Sequence, residues 1–222
     1  MDQGRSREAH RNDKGVFVIF LIGVTHSVQD YRSVQRFGGE TANLIEEFKS
    51  FVHRIIRANS IVALAEEYQE CLDGKRTHSV LAEIAQSCDP ILPHCYCDPS
   101  SEERGRMGIP TRVEIERAVL KSFGLNYKSF HHYKSFGDCC VPYGLVEKRI
   151  KKMEMRYWSQ REAFWLDKVG ERIQDNILFV VGACHIKSFT ALIEHLGHET
   201  HCIAANWGKG EGSPSSGALQ DL

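Results

Sequence analysis

Residues 178–185 read LFVVGACH, and residues 19–26, near the other end of the chain, read IFLIGVTH. Each is an apolar run that reaches a glycine, passes two more residues and stops on a histidine. The first run has no polar alternation. That pattern predicts a strand buried on both faces, as in a parallel sheet covered by helices. Gly-x-x-His after a buried strand puts an imidazole where the strand runs out, and glycine three residues earlier lets the backbone bend or pack closely.

The segments between and around these runs alternate in character. Residues 40–57 set Leu44, Ile45, Phe48, Val52, Ile55 and Ile56 at helical spacing, which predicts an amphipathic helix. SIVALA (60–65) reads as the next buried strand, 79–86 as a short helix and 91–97 as a third strand ending at Asp98-Pro99. A helix is predicted over 112–123 and a long, proline-free one over 147–172. The strand at 177–183, a helix over 186–196 stopped by Gly197 and a strand at 200–204 complete the body. Strand alternating with helix predicts an α/β fold, a single domain with a mostly parallel central sheet covered by helices. The expected organisation is a polar tail over 1–14, an α/β body over 15–205 with an irregular insert at 100–150, and a Gly/Ser-rich, disordered tail over 206–222.

The totals narrow the function classes. The 222 residues suffice for one substantial domain, and the formal net charge of −1 gives no basic field for nucleic acid or an anionic membrane. No apolar run is long enough to span a bilayer, and the start lacks a signal peptide's apolar core and cleavage site, so a cytoplasmic location is expected. Eight cysteines in a chain this rich in core residues do not call for a disulfide framework. HCYC (94–97) and Cys139-Cys140 lack the second knuckle of a zinc ribbon, so all eight thiols are expected free and without structural zinc.

Ligands of such folds bind beyond the carboxyl ends of the strands. His26 and His185 sit at two of these ends and would converge if their strands are neighbours. Glu66 and Glu67 follow SIVALA; because adjacent strand residues point to opposite faces, only one need enter a site, and Glu66 is the weak preference. Asp98 ends the third strand, although Asp-Pro is also an ordinary turn signal. Arg161 and Glu162 lie on the aromatic helix MRYWSQREAFWLDKV (155–169), where Arg161 could hold a carboxylate or another anion. Cys184 would be a nucleophile only with a nearby base and an electropositive setting.

Two GxxH motifs (Gly23 to His26 and Gly182 to His185), an acid after the second strand (Glu66 or Glu67) and an Arg-acid pair (Arg161-Glu162) ahead of the last GxxH form an ordered set. It resembles the superfamily that joins the TraB/PrgY and Tiki proteins, the erythromycin esterases and the ChaN-like haem-binding proteins. Glu162 stands where that family has Asp, and residues 100–150 match no part of it. The resemblance implies an α/β fold whose pocket holds two histidines and a glutamate, and an activity ranging from metal-dependent hydrolysis to metal-free esterase action or binding.

The residues allow the same range. His26, His185 and Glu66 could hold a divalent metal (Zn, Mn, Co or Fe) with open positions; haem is the weaker candidate. A carboxylate–histidine couple could instead activate water directly. The expectation is a hydrolase of an ester or amide bond, acting on a small-molecule or peptide substrate without nucleic acid or membrane. The candidate catalytic residues are His26, His185, Glu66, Glu67, Arg161 and Glu162. The alternative is a non-catalytic haem-, metal- or partner-binding module of the same fold.

Overall fold

The structure, a computed structural model, describes residues 18–32, 38–72, 75–77, 79–127, 142–170, 172 and 175–208. The expected terminal tails, apart from residues 206–208, lie outside the described residues, as do His131, His132, Cys139 and Cys140.

Five parallel strands form the central sheet: β1 (Val18–Val24), β2 (Ala63–Glu66), β5 (His94–Tyr96), β6 (Ile177–Gly182) and β7 (Glu199–Trp207), in the order β5-β2-β6-β1-β7. Two short strands, β3 (Cys71–Leu72) and β4 (Lys75–Arg76), pair apart from it. β6 is the middle strand, with β2 on one side and β1 on the other, and Gly23 is level with Val181. The two GxxH strands are therefore neighbours.

Side-chain alternation sorts each strand onto two helical layers. Phe20, Ile22, Val24, Leu64, Leu178 and Val180 pack with Phe48, Val52 and Ile55 of α1 (Gly39–Ala58) and with Leu81 and Ile84 of α2 (Val80–Ser87). Ile19, Leu21, Ala63, Ala65, Phe179 and Val181 face α6 (Trp158–Val169) and α7 (Ile186–His195), through Trp165, Leu166, Phe189 and Ile193. Both faces of β1 and β6 are thus apolar because both are covered.

Where the structure describes region 100–150, at 100–127 and 142–150, the helix expected over 112–123 is present and two more helices stand where irregular chain was expected. α3 (Ser101–Arg106) and α4 (Arg112–Ser122) each begin with a capping box, Ser100 with Glu103 and Thr111 with Glu114. The Ser-x-x-Glu spacing of SSEE was a helix-start signal inside a stretch that reads as polar loop. α5 (Tyr143–Glu154) packs on α4 around Ile115, Val119, Leu120, Val146 and Ile150, a third small core.

The long helix expected at 147–172 is also two. A 3-10 turn, Met155–Tyr157, separates α5 from α6 without proline or glycine. The halves serve different partners, since α5 belongs to the pair with α4 whereas α6 lies on the sheet. The break is a tertiary requirement, invisible to local propensity.

Candidate active site

The carboxyl ends of β1, β2, β5 and β6 open into one cavity of about 690 Å³, walled on its far side by α4, α5 and the turn before α6. His26, Glu67, Asp98, Arg161, Cys184 and His185 all line it.

The two GxxH glycines do different work. A Cβ on Gly23 would stand 2.3 Å from the Ala205 carbonyl oxygen and 2.6 Å from Ile186 Cγ1, so glycine there lets β7 and α7 close onto β1. A Cβ on Gly182 would stand 3.1 Å from both Glu67 Oε2 and His26 Nε2. Its absence leaves the carboxylate and the imidazole facing one shared point.

Glu67, one residue beyond β2, turns into the cavity, and its side chain is 5% exposed. Oε2 accepts the Gly182 N–H at 2.8 Å, Oε1 accepts Arg161 Nη2 at 2.7 Å, and His185 Nε2 stands 3.5 Å from Oε1. Glu66 goes the other way, onto the α2 face. It is fully buried, where its Oε1 accepts the hydroxyl of Ser79, the N-cap of α2, and lies 2.9 Å from His94 Nε2. The preference for Glu66 is therefore corrected. Strand alternation sends one member of the pair to each face, and the register places Glu67 on the face that holds the site.

His185 is 2% exposed, at the end of a 3-10 turn (Ala183–His185) that leads from β6 into α7. Its Nδ1 donates to Glu162 Oε1 at 2.8 Å, and Ser188 Oγ donates to the same oxygen at 2.6 Å. The rings of Trp158 and Trp165 pack on the imidazole with centroids 4.4 and 5.0 Å away, which suits a cationic ring. Burial works against that charge, but the Cys184 thiol, Glu162 and Glu67 outweigh it and raise the pKa to about 9. These partners favour the imidazolium form of His185.

That shift carries a stability signature. The folded-state pKa lies above the unfolded value, about 6.5, so the contribution is complete below pH 6.5 and lost as pH rises through about 9. Urea midpoints should fall between pH 6.5 and 9.5 in the wild type and fall measurably less in His185→Gln. Equal slopes for the two proteins would contradict the imidazolium.

His26 is exposed to the cavity, in the 3-10 turn after β1 (His26–Val28). Its Nδ1 lies 2.7 Å from Oε1 of the buried Gln29, which leaves Nε2 facing the point shared with Glu67.

Arg161 and Glu162, adjacent on α6, diverge yet serve the same centre: Arg161 clamps Glu67 and Glu162 holds His185. Asp98 locks the clamp. Its Oδ1 accepts Arg161 Nε at 3.1 Å and Nη2 at 2.6 Å, and its Oδ2 accepts Arg104 at 2.7 Å. Burial opposes its ionisation, but the two guanidiniums hold the carboxyl below its usual range. On the other flank Tyr68, which lines the cavity, donates to Asp30 Oδ2 and accepts from Arg32 at 2.8 Å. Gln29, Tyr68, Trp158 and Ser188 carried no motif that marked them.

The ligand set expected for a metal, His26, His185 and Glu66, is not brought together, because Glu66 lies across the sheet from the cavity. Among the described residues no group of three His, Cys, Asp or Glu side chains is arranged to hold a metal ion. Glu67, the acid that does reach the histidines, has both oxygens engaged by Arg161 and Gly182. A guanidinium at 2.7 Å opposes a dication there, so the residues do not fit a resident metal. Cys88, Cys95, Cys97, Cys184 and Cys202 are free thiols. No described helix is long and apolar enough to cross a membrane.

No family model, curated protein or solved structure matches the chain.

Proposed function

We propose that the chain is a hydrolase of carboxylic esters or amides that activates water with His26 and needs no resident metal. What carries this reading is the convergence of His26 Nε2 and Glu67 Oε2 on the space left open by Gly182, with the His185 imidazolium against the same carboxylate. One histidine has its lone pair aimed at the cavity and the other is held protonated, the division of labour that acid–base catalysis uses. A water between His26 and Glu67 gives a proton to His26 Nε2 as its oxygen attacks the carbonyl carbon. His185 faces the negative charge that develops and donates its Nε2 proton to the leaving oxygen or nitrogen. Glu67, fixed by Arg161 and the Gly182 amide, orients both partners. Proton return from His26 to His185 through solvent restores the starting state.

The resemblance to the GxxH superfamily belongs to the same proposal, supported by the paired strand-end motifs and by Glu67. A cytoplasmic location belongs to it too, supported by the free thiols.

The test is a panel of esters, amides and phosphoesters offered to untagged protein before and after exhaustive chelation. Turnover of carboxylic esters or amides that survives chelation is expected. Turnover that needs added Zn²⁺, Mn²⁺ or Co²⁺ would overturn the metal-free mechanism, and turnover of phosphoesters alone would overturn the substrate class. Silence across the panel would leave the binding module as the better description.

A further inference from the structure

Resting on that hydrolase reading, we infer that the substrate's acyl part is a medium-length apolar chain, housed along the α4/α5 wall of the cavity.

The charges of the cavity argue first. Arg161 is spent on Glu67 and Asp98, Arg104 on Asp98, and Arg112 on Glu147 and Glu154, at 2.6–3.0 Å. Every arginine of the lining is thus already paired, and a polyanionic substrate would have to break those pairs before finding a guanidinium. Lys151, exposed on α5, is a single flexible charge and makes no fork.

The apolar surface argues second. Next to His185 the lining includes Trp158, whose ring packs on the imidazole, and its neighbour Tyr157, which packs against the α4/α5 core. On the α4/α5 side the same lining holds Ile109, Val113 and Ile115, with Arg112, Lys151 and Glu154 beside them. Ile109 and Ile115 are buried, while Val113 is 42% exposed although it lines the cavity. An apolar wall with an unfilled face that starts at the reacting centre is a chain-binding surface, since each methylene laid on it leaves water. The volume of about 690 Å³ holds considerably more than the reacting bond.

The experiment is a series of p-nitrophenyl esters from acetyl through butanoyl, hexanoyl and octanoyl. Full burial of one methylene is worth about a fourfold gain in binding, so kcat/KM is expected to rise by at least about 30-fold from acetyl to octanoyl. In Val113→Asp the octanoyl-to-acetyl ratio should collapse by about tenfold or more, because a carboxylate would stand where the chain lies. That variant is expected to fold, since residue 113 is exposed in the first turn of α4, where an acid is favourable. A flat or falling series, or a ratio untouched by Val113→Asp, overturns the inference. If no ester of the series turns over, calorimetric titration with octanoate against acetate decides the chain subsite, and the hydrolase reading fails by itself only when the amides are silent too. Tighter octanoate binding that Val113→Asp removes would sustain it, and equal or absent binding would sink it.

Discussion

Replacing Arg161 with Met should destabilise the protein by about 3–5 kcal/mol, more than an ordinary helix-surface substitution. The guanidinium bonds Glu67 at 2.7 Å and Asp98 at 2.6 Å, and the two carboxylates are 5% and 11% exposed. Desolvating them is expensive, and removing their shared cation leaves the cost without its compensation. Asp98 keeps Arg104, but Glu67 Oε1 keeps only the His185 ring at 3.5 Å. Arg161→Lys should recover part of the loss, since an ammonium restores charge without the fork that meets both acids. Urea unfolding monitored by circular dichroism measures both variants. A loss below about 1 kcal/mol for Met would mean that the two acids do not depend on the clamp.

Replacing His26 with Ala should do the reverse, leaving the fold nearly intact and removing catalysis. The side chain is exposed, and the bond it forfeits, to Gln29, is worth about 1 kcal/mol. The lone pair on Nε2 is the base of the proposed reaction, and a positioned base contributes about 10²–10⁴-fold. On the best ester of the panel kcat should fall by that factor, with the melting temperature shifted by only a few degrees. Full activity in His26→Ala would remove the base from the mechanism, and an unfolded variant would show that His26 is a structural residue.

These two outcomes separate what was legible in the sequence from what was not. The strands beneath both GxxH motifs could be read because an apolar run buried on two faces looks the same wherever it is placed. That the histidines meet depended on β6 lying beside β1, and the spacing of the motifs carries no strand order. The acid at the end of SIVALA was legible as a pair and not as a choice. Glu66 and Glu67 differ by one residue, and the side each takes is decided by ladder register, a property of three strands together. Asp98 looked like a turn residue because Asp-Pro is one. Its second role exists only because α6 brings Arg161 to the same place, 63 positions further along the chain.

The position of β6 also bears on how the molecule is made. The middle strand of the sheet is the fourth of its five strands to be synthesised, and two earlier strands, β1 and β2, have no ladder with each other. While the ribosome is still short of residue 177, both carry unsatisfied backbone edges and apolar faces, and Glu67 lacks the Gly182 amide that later fixes it. Synthesis delivers about 5–20 residues per second, so the first half of the body waits seconds for its centre. Exposed parallel-strand edges of that kind are the surfaces that chaperones cover and aggregates recruit. The arrangement that unites the two histidines thus leaves β1 and β2 without their shared neighbour until β6 emerges.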